Sequence, residues 1–191
     1  MQEFFESDDA FDSLFPVQIR QLSGVHWSPL EVVRVASAFL APDANARVID
    51  IGAGVGKFCI AGSYFTQGQF TGIEIQKKLM IAGNKVISEL NVTGAKLVHA
   101  DFKDCDISPY NGIYFYNSFY ENLIADEALQ EASGNDLRYE NYMDIFREKL
   151  TAMPQGTRLA TYWLSAPEVP GCYLLQSTHF SDHLKLWTKV S

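Results

Sequence analysis

The hydrophobic and polar positions of the chain switch repeatedly between a strand pattern and a helix pattern from residue 47 onward. RVIDI and QFTGIEI predict strands, whereas KFCIAGSYF and KKLMIAGNKVISEL predict helices. Three more strands are predicted over AKLVHAD, GIYFYN and TRLATYWL, and the tail from CYLLQSTHF to HLKLWTKV predicts a hairpin. Two helices are predicted at 121–132 and 138–150, the second from a stripe of Tyr139, Tyr142, Met143, Phe146 and Leu150.

This alternation predicts an α/β fold with a doubly wound, mostly parallel sheet of seven strands and helices on both faces. The hairpin at the end of the chain requires that one of the last two strands runs antiparallel. Ligands of such sheets lie beyond the C-terminal ends of the strands, near the point where the strand order reverses. The loops of interest therefore begin at Gly52, Glu74, Asp101 and Asn117.

The N-terminal region has its own pattern. Residues 1–15 mix phenylalanines with acidic residues, and composition alone leaves open whether they form a tail or a small lid. The stretch HWSPLEVVRVASAFL then predicts a helix over 29–40. Ser28 is the expected N-cap, Pro29 occupies the first helical position, and Glu31 completes a capping box.

The loop after the first strand carries three glycines in VIDIGAGVGKF. Gly52 allows a sharp turn, and Gly54 and Gly56 remove side chains where a ligand or the next helix comes close. A dinucleotide fold needs GxGxxG, but the spacing here is GxGxG, with Lys57 in place of the third dinucleotide glycine. Asp50 stands two residues before the first glycine. The alternative interpretation is a generic tight turn between strand and helix.

The next two loops add nucleoside-binding chemistry. Glu74 closes the second strand, where a carboxylate can accept hydrogen bonds from both hydroxyls of a ribose, and Ile75 can lie against an adenine face. After the third strand, Asp101 can accept from an adenine amine and Phe102 can supply an apolar surface. The alternative for Glu74 is a solvated acid at the end of a strand, and for Asp101 it is a simple capping role. His99 is expected to be a core histidine with a satisfied hydrogen bond.

Together these positions resemble the class I, Rossmann-like S-adenosylmethionine (SAM) methyltransferases. The first motif of that family has the form of VIDIGAGVG, an acid closes the second strand, and the seventh strand is antiparallel. The resemblance covers residues 46–191 and implies that residues 1–45 are an N-terminal lid or cap. It implies that SAM lies along the glycine loop with its ribose at the acid. The implied cofactor-binding residues are Asp50, Gly52, Ala53, Gly54, Gly56, Glu74, Ile75, Asp101, Phe102 and Asn117.

The fourth loop, YFYNSFYENL, faces the methyl group in this family. Asn117 can accept a hydrogen bond from a substrate amine or from the amino group of SAM. Tyr116, Phe119 and Tyr120 can form an aromatic wall that attracts a cation, and the alternative is that these rings are core. The loop lacks the [DN]PPY motif of DNA amino-methyltransferases. It more closely resembles the Asn-aromatic loop of the non-SET histone-lysine methyltransferases, which implies catalytic roles for Asn117, Tyr116 and Tyr120.

Composition narrows the partners. A net charge of −8 over 191 residues argues against duplex nucleic acid, and no apolar run is long enough to span a membrane. Cys59, Cys105 and Cys172 are scattered, which predicts buried thiols in a reducing cytosol and hence a cytoplasmic protein. His179 and His183 fall near the predicted hairpin turn without a third ligand, so no metal site is expected.

The sequence therefore predicts a SAM-dependent methyltransferase with a small-molecule or protein acceptor, an amine such as a protein lysine being the first expectation. Three alternatives stay open: an NAD-dependent oxidoreductase, a degenerate module that binds SAM without turnover, and a polyamine synthase of the same fold. His26, Trp27 and Ser28 are candidates to close over the cofactor, although the N-cap role is the stronger expectation for Ser28.

Overall fold

The structure, a computed structural model, describes residues 2–23, 27–116, 132–165 and 168–191. Its helices are α1 (Asp8–Asp12), α2 (Val17–Arg20), α3 (Leu30–Leu40), α4 (Lys57–Phe65), α5 (Lys77–Glu89) and α6 (Ala132–Ala152). Short 3-10 turns cover Gln2–Phe5 and Phe102–Asp104. Its strands are β1 (Arg47–Ile51), β2 (Gln69–Glu74), β3 (Ala95–His99), β4 (Gly112–Tyr116), β5 (Arg158–Tyr162), β6 (Tyr173–His179) and β7 (Leu184–Lys189).

The strands of the described residues form one seven-stranded sheet in the order β3-β2-β1-β4-β5-β7-β6. The first five pair in parallel, and β7 is antiparallel to both of its neighbours, β5 and β6. The predicted fold class is confirmed, including the antiparallel hairpin strand. The order reverses between β1 and β4, so the crevice for a ligand lies at the carboxyl ends of these two strands.

Each face of the sheet has its own hydrophobic core because neighbouring strand residues point to opposite faces. Val48 and Phe70 pack with α3, α4 and α5 on one face. Ile49, Phe115 and the α6 residue Phe146 pack on the other. The apolar stripe predicted at 138–150 lies inside α6, with Met143, Phe146 and Leu150 fully buried and Tyr139 and Tyr142 half-buried.

The N-terminal segment packs against the first of these cores. Phe5, Phe11, Phe15 and Ile19 are all buried there. Phe5 also stacks on Tyr64 of α4, with ring centroids 4.0 Å apart. Residues 2–20 are therefore a packed part of the fold and not a frayed tail, and their role as a lid stays a prediction.

Two local expectations need correction. Helix α3 begins at Leu30 after Pro29, and no side chain caps it from the predicted position of Ser28. Cys59 is buried as expected, but Cys105 and Cys172 are half-buried. The helix expected at 121–132 falls largely outside the described residues. Among the helices that the structure describes, none is long and apolar enough to cross a membrane.

Candidate cofactor-binding site

The glycine loop between β1 and α4 has a left-handed backbone at each glycine. The φ angles are +74° at Gly52, +56° at Gly54 and +79° at Gly56, where side chains other than glycine are strained. A Cβ on Gly56 would lie 2.7 Å from the side chain of Leu97, so packing also requires glycine there. A Cβ on Gly54 would meet nothing within 4 Å. Another part of the protein therefore comes close to Gly56, as predicted, whereas the Cβ position of Gly54 faces open space.

The loop is fastened to the end of β2. The backbone N–H groups of Gly52 and Ala53 both donate to the carbonyl of Ile73, at 3.0 and 2.9 Å. A Cβ on Gly72, the residue before Ile73, would lie 2.5 Å from that of Ala53. These contacts fix the loop at the carboxyl ends of β1 and β2, as the sequence predicts.

Glu74 joins this arrangement through its side chain. Its Oε2 accepts from the N–H of Gly54 at 2.8 Å, and its Oε1 accepts from the N–H of Gln76 at 2.6 Å. Burial raises the pKa of Glu74, although hydrogen bonds from the backbone of Gln76, Gly54 and Ile75 oppose that shift. A carboxylate has about four acceptor positions, so Glu74 keeps acceptor capacity beyond these backbone donors for a ribose hydroxyl. Ile75 follows with 41% of its surface exposed.

Asp50 is the buried acid of the site. It lies in β1 with its Oδ2 3.7 Å from the sulfur of Cys59, and it is 4% exposed. Burial raises the pKa of Asp50 to about 8; the Cys59 contact opposes this shift and the charge of Glu74 adds to it. This pKa favours the protonated form of Asp50 at neutral pH, and a positive group beside it would favour the anion.

Asp50 lines a small cavity where the crevice meets the N-terminal region. The wall of this cavity includes Ser28 and Tyr114, whose hydroxyl oxygens are 2.6 Å apart. Phe58 stacks on Tyr114 with centroids 3.7 Å apart. Ser28 thus contributes to the wall of the site, which the sequence raised as the weaker possibility. The other lining residues are Trp27, Gly52, Ala53, Lys57 and Tyr116.

The fourth loop is described only at its beginning. Tyr116 ends β4, lines the cavity, and lies against Tyr162 of β5 with ring centroids 4.7 Å apart. The ring of Tyr116 is thus part of the cavity lining, whereas Tyr162 is buried in the core. The aromatic wall stays a prediction. The other predicted residues of this loop lie outside the described residues: Asn117, Phe119, Tyr120 and Glu121. His26 lies outside them as well.

The third loop carries Asp101 and Phe102, the two residues expected at the adenine. Both carboxylate oxygens of Asp101 accept from the hydroxyl of Tyr142, at 3.0 and 2.9 Å. Burial alone would raise the pKa of Asp101, but hydrogen bonds from Lys103 and Tyr142 lower it below its usual value. Phe102 is 5% exposed and packs in the second core near Phe146. The ring of Phe102 is therefore part of the core. Contact of Asp101 or Phe102 with adenine stays a prediction.

His99 and His183 make local contacts in the described chain. His99 is exposed rather than part of the core, and its Nε2 lies 2.9 Å from the carbonyl of Ile75. His183 follows the left-handed turn residues of the β6–β7 hairpin, and its ring stacks on Trp163 at 3.5 Å. Among the described residues no group of three His, Cys, Asp or Glu side chains could hold a metal ion.

Sequence reasoning missed two contributors. Lys57 lines the cavity as a buried cation, and Tyr142 reaches from α6 to the third loop. The position of Lys57 directly after the last loop glycine was the available signal, because that residue must begin the helix facing the site. No local pattern marked Tyr142, which the sequence assigned to the apolar stripe of its helix.

The strand order, the antiparallel β7 and the glycine loop after β1 are those of the Rossmann-like fold that class I methyltransferases adopt. No protein-family model matches the sequence, and no curated protein is recognisably similar to it. Among solved structures, one similar chain is an RNA methyltransferase from Salinibacter ruber in complex with S-adenosyl-L-homocysteine. It is 20% identical, and the match covers 86% of this chain and 94% of that one with a TM-score of 0.59.

Two further structures indicate how widely this fold is used. A mutant of MtNAS in complex with S-adenosylmethionine matches 100% of this chain and 70% of its own, with 15% identity and a TM-score of 0.58. The [4+2]-cyclase SpnF matches 72% of this chain and 47% of its own, with 15% identity and a TM-score of 0.52. Since one fold hosts several chemistries, the function has to be argued from the site.

Proposed function

We propose that this protein binds SAM and transfers its methyl group to an amine acceptor, such as a protein lysine. The observation that carries the proposal is the open left-handed loop at Gly54, whose N–H is held by Glu74 beside the buried acid Asp50. The loop leaves room for a ligand, Glu74 can accept from a ribose, and Asp50 can pair with an ammonium group. These groups fit SAM, and the SAM and S-adenosylhomocysteine complexes of similar folds support the same choice.

The chemistry asks little of the protein beyond positioning. SAM would supply a methyl carbon already activated by a positive sulfur, so the chain has to align the acceptor and exclude water. Tyr116 lines the cavity, and an aromatic ring beside the acceptor would favour a cationic group by about 0.5–2 kcal/mol. We assign to Asn117 the orientation of the acceptor amine through its side-chain carbonyl. A base is required only if that amine still carries its proton.

The first experiment is calorimetric titration of the purified protein with SAM, S-adenosylhomocysteine and NAD. Binding of the first two without a response to NAD supports the proposal, whereas NAD binding or no binding at all contradicts it. NAD is the informative competitor because the acid at the end of β2 is shared with dinucleotide enzymes, while the GxGxG spacing is not.

The second experiment asks for turnover. Methyl-labelled SAM is incubated with the protein and with pools of proteins, small amines and RNA, the last because similar folds include an RNA methyltransferase. Label transfer with release of S-adenosylhomocysteine identifies methyl transfer. Release of methylthioadenosine instead means that the aminoalkyl group is transferred, as in a polyamine synthase. Tight binding without any product in all pools favours a module that only binds SAM.

A further inference from the structure

Lys57 is a buried cation in the first turn of α4, directly after the glycine loop. Its side chain is 4% exposed, and its Nζ lies 2.7 Å from Asp8 and 2.8 Å from Asp12 of α1. A lysine is rarely buried unless its charge is paired, because removing the charge from water is costly. We call these three side chains the latch, since they join the N-terminal segment to the helix that begins at the cofactor site.

Asp8 also connects the latch to the wall of the cavity. Its Oδ1 accepts from the N–H of Leu30 at 2.9 Å, which caps α3 from a position 22 residues earlier in the chain. Trp27 and Ser28, which line the cavity, directly precede that helix. The carboxylate of Asp8 therefore contacts both α3 and α4 from α1, next to the residues that line the cavity.

Aromatic rings complete the contact. The Nζ of Lys57 lies 5.3 Å from the ring centroid of Phe11 and 5.7 Å from that of Trp27. Phe15 packs edge-on against Trp27 with centroids 5.1 Å apart. A cation between aromatic faces is favourable, so displacing the N-terminal segment removes both the ion pairs and these ring contacts. The wall residue Trp27 would lose much of its packing with them.

We infer that residues 2–20 form a cap over the cofactor-binding cavity, that the latch holds it closed, and that the cofactor exchanges when the cap opens. The inference rests on the proposed function, because it concerns the same cavity. Lys57, Asp8 and Asp12 are positioning residues in this scheme, since they act through Trp27 and Ser28. If cap docking and cofactor binding are coupled, each must stabilise the other by the same factor.

The kinetic test measures how fast labelled S-adenosylhomocysteine dissociates from the 191-residue chain during a chase with unlabelled ligand. Asp12→Asn weakens the latch and keeps the ion pair of Lys57 with Asp8. We expect dissociation about tenfold faster, which corresponds to about 1.4 kcal/mol. Asp9→Asn is the matched control, because it makes the same charge change in the same helix at an exposed residue outside the latch. Its rate should stay within about twofold of the wild type.

A second readout separates a cap from a merely structural contact. Hydrogen exchange of the amides in residues 8–20 is compared with and without S-adenosylhomocysteine. We expect slower exchange when the ligand is bound and a smaller effect in Asp12→Asn. Unchanged exchange, or equal dissociation rates for Asp12→Asn and Asp9→Asn, would overturn the inference. If the wild type binds neither SAM nor S-adenosylhomocysteine, the proposed function itself fails, so the two failures are distinguishable.

Discussion

Replacing Gly54 by arginine tests the placement of the cofactor most directly. Gly54 has a φ of +56°, and its Cβ position meets nothing within 4 Å, so the new side chain faces strain without a clash. A left-handed residue costs about 1–2 kcal/mol relative to glycine. For a chain of this length that cost lowers the melting temperature by about 2–8 °C. The fold should survive, and the hydrogen bond from this N–H to Glu74 can remain.

Cofactor binding should suffer far more than stability. The arginine side chain would occupy the open space beside the loop, where we place the methionine part of SAM. We expect Gly54→Arg to weaken S-adenosylhomocysteine binding by at least about 100-fold, equivalent to about 2.7 kcal/mol. Calorimetric titration measures the affinity, and thermal unfolding with and without ligand gives an independent check, because a ligand stabilises only the state that it binds.

Gly156 provides the matched control. It also has a left-handed φ, +87°, and also has nothing within 4 Å of its Cβ position. It lies in the turn before β5, at the opposite edge of the sheet from the glycine loop. Gly156→Arg should therefore lower stability by a similar amount and leave binding within about threefold of the wild type. Micromolar binding retained by Gly54→Arg would refute the placement of the cofactor on this loop.

The remaining predictions concern three side chains. Because the pKa of Asp50 is about 8 in the fold and its ordinary value is 3.8, the folded protein keeps a proton that the unfolded chain loses between these values. Urea unfolding should therefore show stability falling from about pH 4 to pH 8, and Asp50→Asn should reduce this slope. Glu74→Gln should weaken SAM binding by about tenfold or more in calorimetry, since only one of the two terminal atoms of the glutamine amide accepts hydrogen bonds. An unchanged affinity would mean that Glu74 does not bind the ribose. Asn117→Ala should lower kcat more than SAM affinity, and equal losses would mean that Asn117 serves only the cofactor.

The fold could be predicted because its signals are local. The run QFTGIEI differs from β2 by one residue, and the pattern of KKLMIAGNKVISEL differs from α5 by one as well. The position of Glu74 beside the glycine loop follows from the same signals, because parallel strands bring their carboxyl ends to one edge of the sheet. Once the strand order is known, the loops after β1 and β2 must lie next to each other.

The parts that could not be predicted depend on partners far apart in the chain. Ser28 has the local pattern of an N-cap, yet its hydroxyl pairs with Tyr114, 86 residues away, and Asp8 caps the helix in its place. The Ser28–Tyr114 hydrogen bond and the Asp8 cap form only when the N-terminal segment is packed. Once Ser28 is buried there, its hydroxyl needs a partner. Lys57 behaves in the same way, because only tertiary structure brings two aspartates to it. These departures from local expectation all lie where α1, α3 and α4 meet at the wall of the cavity. Their concentration there is itself an argument that this junction is under functional constraint, since sequences tend to break local rules where a site requires it.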